Sequence, residues 1–216
     1  RSQASAQSAG SPDFSGVWAR EAHNYPKPYM AGREGIKDGY NNEYLKPWVI
    51  ELLHRDDLVT ASGRPIVTAH SVCYPESVPY VFGGTQIQIL QKPAEITMLF
   101  GDANQFRTIF LNRAHPAHVA PSWYGDSVGH FEGDTLVVDT IGLGVHPEAG
   151  SMGFFGTPHT DALHLVERYR FLRPGEKSMA PLPKNDSFDA DAVIPEAPIL
   201  RLSFTLEDPG AYKKPW

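Results

Sequence analysis

Short runs in which apolar and polar residues alternate recur along this chain, and they constrain its fold more than any other feature of the sequence. Clear examples occupy residues 86–90, 95–100 and 200–206. In the last run, leucine and phenylalanine side chains share one face, and polar side chains share the other. A period of two residues is typical of a β-strand with one buried face. The pattern therefore predicts a mainly β protein.

The best-defined pair of strands lies at residues 123–141. Its arms, 123–131 and 135–141, flank a turn that contains Gly133, as expected for a β-hairpin. Further strands are predicted at 12–18, 106–111 and 162–171. Because many of these runs are separated by short turns, we expect neighbours in sequence to pair antiparallel.

About eight strands are predicted in this way, together with one short helix from Pro47 to about His54. The fold class is therefore all-β, an antiparallel up-and-down barrel, closed or nearly closed because closure removes exposed edges. A sandwich is the alternative. A length of 216 residues suits a single domain. We expect a disordered N-terminal segment at 1–11 and one domain at 12–216.

Charge and composition exclude several classes of partner. The formal net charge is −6 and the chain contains no basic run, so nucleic acid is not expected to bind. No apolar run approaches the roughly 20 residues that a membrane-spanning helix needs. Cys73 is the single cysteine, which excludes an internal disulfide. The Ser-, Ala- and Gln-rich start is typical of a mature exported protein, which predicts a periplasmic or secreted location, although a disordered cytosolic terminus has the same composition.

Several motifs of the sequence are recognisable. They are PDFSGVW at 12–18, LKPW at 45–48, Cys73 with Pro75 and Pro79, SWYGDSVGHFEGDTLVVDT at 122–140, PHTDALHLVERYR at 158–170 and LEDPGAYKKPW at 206–216. Together they resemble a large family of exported, mostly uncharacterised bacterial proteins with a lipocalin-like β-barrel. The resemblance covers nearly the whole chain. It implies export and a lipocalin-like barrel, and it carries over no catalytic residues. Members of that family usually have Arg and Trp at the positions of His130 and Phe131.

Two carboxylates occur among apolar neighbours in predicted strands. Asp139 shares a strand face with Val137 and Ile141, and Glu167 shares one with Tyr169. We expect both carboxylates to face one enclosed space, where burial and proximity could separate their pKa values for acid and base catalysis. Alternatively, each carboxylate pairs with an arginine in a structural bridge between strands.

Histidines extend this chemistry. His164 is a candidate proton donor beside a carboxylate. A metal site built from His159, His164 and Glu167, with His115 and His118 on a loop, is a weaker alternative, because strand alternation places His159 and His164 on opposite faces. We therefore expect no bound metal. The chain has no nucleophile elbow, phosphate loop or dinucleotide fingerprint, so no cofactor is expected.

The leading functional prediction is an exported barrel that binds a small apolar or amphipathic molecule. Its predicted ligand-binding residues are Trp123, Tyr124, Tyr169 and Arg107, with Asp139 and Glu167 as further polar anchors. One alternative is a non-covalent lyase, isomerase or hydratase, whose catalytic residues are His164, Glu167 and Asp139. The other is an accessory subunit that docks onto a larger periplasmic or membrane-bound assembly through loops 21–44 and 174–198, together with the C-terminal residues 211–216. Whether the protein is an enzyme stays open.

Overall fold

The protein is described by a computed structural model over part of its length. The described residues are 10–19, 44–65, 67, 69–83, 86–101, 105–145, 158–172 and 198–215. The predicted N-terminal segment 1–11 and the loops 21–44 and 174–198 lie outside these residues, except at their ends. Among the described residues, no helix has both the length and the apolar character that crossing a membrane requires.

Eight strands form one curled sheet in which the strands follow chain order. They are β1 (Gly16–Ala19), β2 (Gln86–Gln91), β3 (Glu95–Phe100), β4 (Gln105–Leu111), β5 (Asp126–Glu132), β6 (Thr135–Ile141), β7 (His164–Phe171) and β8 (Leu200–Glu207). The mainly β prediction is confirmed, because each predicted run of alternating residues overlaps one of these strands. The hairpin of β5 and β6 is also confirmed, with Gly133 in its turn at a φ of 63°.

The helix α1 (Pro47–Ala61) is longer than predicted. Pro47 occupies its first turn, where the missing N–H has no helical partner to lose. Val49 and Leu53 are the buried residues of α1, and they join the core formed by the sheet. Just before the helix, Leu45 forms a β-bridge with Tyr212, so the start of α1 is joined to the C-terminal segment.

The prediction of antiparallel pairing throughout is wrong at one place. β4 and β5 run parallel, with Ile109 opposite Ser127 and Leu111 opposite Gly129. A parallel pair needs a crossover of about a dozen residues or more, because the chain must return to the end at which the first strand began. The segment between these strands, residues 112–125, supplies that length. We call it the crossover segment.

The sheet forms a half-barrel rather than the closed or nearly closed barrel that was expected. In the described part of the chain, no hydrogen-bonded pairing joins β1 to β8. Aromatic side chains instead link the first strand region to β7. The ring centroids of Phe14 and Phe171 are 5.0 Å apart, and those of Trp18 and Phe171 are 5.7 Å apart. Within the described residues, side-chain packing thus links β1 and the residues before it to β7.

The two faces of the sheet differ in character. The inner face carries most of the apolar core, including Ile96, Met98, Ile109, Leu136, Val138, Leu165 and Leu206. On the outer face, β5–β8 present many ionisable side chains, whereas β1–β4 present a shallow groove of about 340 Å³. The uncharged residues that line this groove include Val17, Leu99, Phe106, Gln86, Gln88 and Gln105.

Candidate functional site

A completely buried ion pair lies on the inner face between β4 and β7. Arg107 and Glu167 each have a side-chain exposure of 0%. Two parallel hydrogen bonds join them: Arg107 Nη1 donates to Glu167 Oε1 at 3.0 Å, and Nη2 donates to Oε2 at 2.5 Å. This bidentate geometry matches the planar guanidinium to the planar carboxylate.

Two strands between β4 and β7 supply further partners for Arg107. Its Nε donates to Ser127 Oγ on β5 at 3.0 Å, and Nη2 also donates to Thr140 Oγ1 on β6 at 2.7 Å. On the carboxylate side, the Tyr169 hydroxyl donates to Glu167 Oε1 at 3.0 Å and lies 3.8 Å from Met98 Sδ. These side chains form one inner-face polar network, Arg107, Ser127, Thr140, Glu167 and Tyr169.

The network keeps its charged form in spite of burial. Burial alone would lower the pKa of Arg107, but the adjacent Glu167 carboxylate raises it above the ordinary value. Burial also raises the pKa of Tyr169, and the negative charge of Glu167 adds to this effect. Arg107 is therefore a cation and Tyr169 a neutral hydroxyl donor across the physiological pH range.

Tyr124 lies within electrostatic range of Arg107 and forms an aromatic wall with Phe100. Their ring centroids are 6.1 Å apart with an interplanar angle of 10°, and Phe82 packs edge-on against Phe100 at 5.9 Å. The Tyr124 hydroxyl donates to Gln105 Oε1. Burial raises the pKa of Tyr124 well above its ordinary value, with Glu76 acting in the same direction and Arg107 against it. The phenol is therefore electrostatically coupled to the inner-face polar network.

The structure separates the two carboxylates that were expected to share one space, so that expectation is wrong. Val138, not Asp139, stands opposite Glu167 in the register of β6 and β7. Because adjacent residues of a strand point to opposite faces, Asp139 lies on the outer face. There its Oδ2 is 2.9 Å from His164 Nε2. The predicted catalytic set is thus divided: His164 and Asp139 meet outside the half-barrel, and Glu167 lies inside it.

Asp139 also contacts a histidine of the crossover segment. Its Oδ1 is 3.0 Å from His115 Nε2, while His115 Nδ1 is 2.7 Å from Asp126 Oδ1 on β5. Arg113 Nη2 donates to Asp126 Oδ2 at 2.5 Å. Burial opposes ionisation of Asp126 and Asp139, but these hydrogen bonds outweigh it and lower the pKa of both. We call Arg113, His115, Asp126, Asp139 and His164 the outer-face network.

The remaining predicted residues lie elsewhere. Trp123 packs against Tyr74 with ring centroids 5.4 Å apart, so its predicted place in the ligand wall stays a prediction. His159 is buried, and its Nδ1 donates to the carbonyl of Thr160 at 2.9 Å. Within the part of the chain that the structure describes, no group of three or more His, Cys, Asp or Glu side chains could hold a metal ion.

Sequence reasoning missed several members of these networks. Ser127 and Thr140 each occupy the inner face of a strand, a position at which a lone hydroxyl needs a partner, and this signal was available. The contacts of His115 with Asp126 and Asp139 had no such signal, because the crossover segment has no periodic pattern to place its side chains.

The carboxylate of the inner-face polar network is not poised for proton transfer. Both oxygens of Glu167 already accept hydrogen bonds. Comparison of the chain with models of protein families, with curated proteins and with solved structures finds no match. The geometry of the two networks is therefore the basis for the functional argument.

Proposed function

We propose that the protein binds a small apolar or amphipathic molecule on the inner side of the half-barrel. One observation carries the proposal. A guanidinium has five N–H donors, and four hydrogen bonds from Arg107 are present among the described residues. One donor of a completely buried cation is thus left without an acceptor within the described part of the chain. A carbonyl, hydroxyl or carboxylate oxygen of a ligand would complete its hydrogen bonding.

The nature of the ion pair supports the same proposal. A buried ion pair is often no more stabilising than apolar residues of similar volume, because both charges lose their hydration. Stability alone therefore gives little reason for Arg107 and Glu167 in this core. A polar anchor beside the apolar Tyr124 and Phe100 wall would recognise an amphipathic molecule, whose apolar part packs on the rings.

The proposal has two wider parts. The lipocalin-like character of the barrel and the location in the periplasm or outside the cell both rest on the resemblance of the sequence motifs.

Native mass spectrometry of the protein purified from its natural source tests the functional part directly. A small molecule that co-purifies at a stoichiometric ratio supports binding, and its mass defines the chemical class.

A pair of double variants tests the site itself. The variant R107M/E167L replaces the inner ion pair with apolar side chains, and we expect it to stay folded because such replacements are often neutral or stabilising. The matched control R168M/E132L removes an exposed Arg–Glu pair on the outer face, joined at 2.8 Å. The probe is 1-anilinonaphthalene-8-sulfonate, an amphipathic anion whose fluorescence increases in apolar surroundings.

We expect R107M/E167L to bind this probe at least about tenfold more weakly than the wild type, since a charge-assisted hydrogen bond contributes roughly 1.5–3 kcal/mol. The control should bind it as the wild type does. Near-UV circular dichroism must show native packing in both variants, because loosely packed proteins also bind the probe. Equal affinity in all three folded proteins would contradict the proposed site.

A further inference from the structure

The groove on the outer face of β1–β4 is built around one row of side chains that crosses all four strands. In the register of the sheet, Val17 lies opposite Gln88, Gln88 lies opposite Leu99, and Leu99 lies opposite Phe106. Residues directly opposite each other in antiparallel strands point to the same face. The shorter side chain of Leu99 therefore lies between Gln88 and Phe106, whose Cα atoms are two strand spacings, or about 10 Å, apart.

Gly101 deepens the groove at one end. Its backbone N–H donates to the carbonyl of Gln86 at 3.0 Å, and both residues line the groove. Because glycine has no side chain, the floor of the groove at this point is backbone. The volume of about 340 Å³ lies within the range of small-molecule sites, which is roughly 300–1,000 Å³.

The hydrogen-bonding side chains of the groove are uncharged amides. Gln86 and Gln88 are exposed, and their amides have no hydrogen-bond partner within the part of the chain that the structure describes. Gln105 accepts a hydrogen bond from the Tyr124 hydroxyl at Oε1, which leaves its Nε2 as a donor. A primary amide both donates and accepts, as a hydroxyl group does. The groove therefore suits a ligand that is rich in hydroxyl groups.

The absence of charge narrows the class of ligand further. None of the described residues that line the groove is ionisable, although the chain has a formal net charge of −6. A phosphate, carboxylate or ammonium group bound there would lose hydration without gaining an opposite charge. A purely apolar molecule would cover the amides and leave them without partners. The lining thus favours a neutral ligand that carries many polar groups.

Phe106 supplies an apolar surface for such a ligand. It is 65% exposed, and it stands on β4, a strand that pairs with two neighbours and so holds the ring in place. A sugar ring matches this arrangement, because one of its faces consists mainly of C–H groups and its edge carries hydroxyl groups. An extended peptide matches it less well, since the backbone groups of β2 and β3 are already paired within the sheet.

We infer that this groove binds a neutral carbohydrate chain, with a sugar ring packed between Phe106 and Gln88 and with its hydroxyl groups bonded to the glutamine amides. The groove is shallow and open to solvent, so an internal part of a polysaccharide can enter it as well as a free end. The inference does not depend on the proposed ligand site, which lies on the other face of the sheet.

Native affinity electrophoresis tests the inference, with the full chain run through gels that each contain one polysaccharide. The neutral probes are dextran, laminarin, arabinoxylan and galactomannan, and the charged comparison is polygalacturonate. We expect at least one neutral polysaccharide to retard the wild type. Polygalacturonate should not retard it, because the polymer and the protein are both negatively charged and the groove offers no cation.

Two variants and a matched control locate the binding. Phe106→Ala removes the ring, and Gln88→Leu replaces an amide with an apolar side chain of similar size. Each should weaken the apparent affinity for the retarding polysaccharide by about tenfold or more. The control is Phe110→Ala, because Phe110 is an exposed phenylalanine on the same face of β4 that is not among the residues lining the groove. It should be retarded as the wild type is.

Two further measurements separate the inference from its alternatives. Near-UV circular dichroism must show native packing in the variants, and if Phe106→Ala does not fold, Gln88→Leu decides the test. Sedimentation velocity without polysaccharide shows whether a second copy of the chain covers the groove instead. Three results would each overturn the inference: no retardation in any neutral gel, folded groove variants that are retarded as much as the wild type, or a wild-type dimer that Phe106→Ala dissociates.

Discussion

At the scale of single residues, Arg107 and Glu167 each depend on the other because neither can reach water. Both side chains are 0% exposed, and the two hydrogen bonds between them replace the hydration that each lost on folding. Removal of one partner leaves the other as an unpaired buried charge, which is far more costly than removal of both. This asymmetry distinguishes a tightly coupled interior pair from an ordinary surface contact.

The single variant Glu167→Leu is therefore expected to lower the free energy of unfolding by about 3–5 kcal/mol. Glu132→Leu, which breaks the half-exposed contact with Arg168, should lower it much less, because exposed ion pairs contribute little to stability. Urea denaturation followed by circular dichroism measures both values. A loss for Glu167→Leu as small as that for Glu132→Leu would show that Arg107 regains hydration, and hence that the interior is open to water.

The residue scale also shows where the sequence misleads. In β6, Leu136, Val137 and Val138 are all apolar and all buried, so the pattern does not reveal which face is inner. An assignment that is wrong by one position moves every side chain of a strand to the other face. An error of this kind led to the prediction that Asp139 faces the same space as Glu167. In β7, by contrast, the buried pattern of Leu165, Glu167 and Tyr169 is regular, and the sequence placed it on the inner face.

At the scale of elements, the crossover segment must re-enter the sheet in a tight turn at the start of β5. Gly125 makes this turn with a φ of 62°, a left-handed conformation that costs an L-residue roughly 1 kcal/mol or more. A Cβ atom at this position would lie 2.3 Å from the carbonyl oxygen of Ile141. That oxygen belongs to β6, where Ile141 is paired with Asp126 of β5. The backbone there therefore has little freedom to move.

The variant Gly125→Ala should therefore be destabilised by both strain and steric overlap. Gly133→Ala provides the matched control, because its φ is 63° but a Cβ there would meet no heavy atom within 4 Å. We expect Gly125→Ala to lose roughly 2 kcal/mol more of the free energy of unfolding than Gly133→Ala. Thermal or urea unfolding gives the difference. Equal losses would mean that the turn relaxes away from β6 and that the parallel pairing does not constrain it.

At the scale of the whole molecule, local patterns predicted the strands and their order in the sheet, but not the direction of one pairing or the openness of the sheet. Alternation within a run depends on neighbouring residues, so the bounds of β3 agree with the predicted run. The parallel pairing of β4 with β5, and the lack of pairing between β1 and β8 among the described residues, depend on where distant segments return, which no local period encodes. The length of the crossover segment was the available signal, since two directly paired antiparallel strands do not need so long a connection.

Acid should weaken the whole molecule through the outer-face network. The pKa values of Asp126 and Asp139 in the folded protein are lowered from an ordinary 3.8, by hydrogen bonds that outweigh the effect of burial. Each carboxylate therefore stabilises the fold at pH values above 3.8, and this contribution is lost as the pH falls through the lower folded value. Asp56 of α1 acts in the opposite sense, because burial raises its pKa.

The double variant D126N/D139N should thus be less stable than the wild type at pH 5.5, by about 1 kcal/mol in total for these partly exposed contacts. The difference should be smaller at pH 2.5, because the wild-type carboxylates lose their contribution as the pH falls through their lowered pKa values. Urea unfolding at both pH values measures this change. The control Glu51→Gln neutralises an exposed carboxylate on α1. Its loss of unfolding free energy between pH 5.5 and pH 2.5 should equal that of the wild type. If D126N/D139N lost as much stability on acidification as the wild type, the acid sensitivity would arise outside the outer-face network. The charges that join the crossover segment to the sheet would then contribute nothing to the stability of the fold.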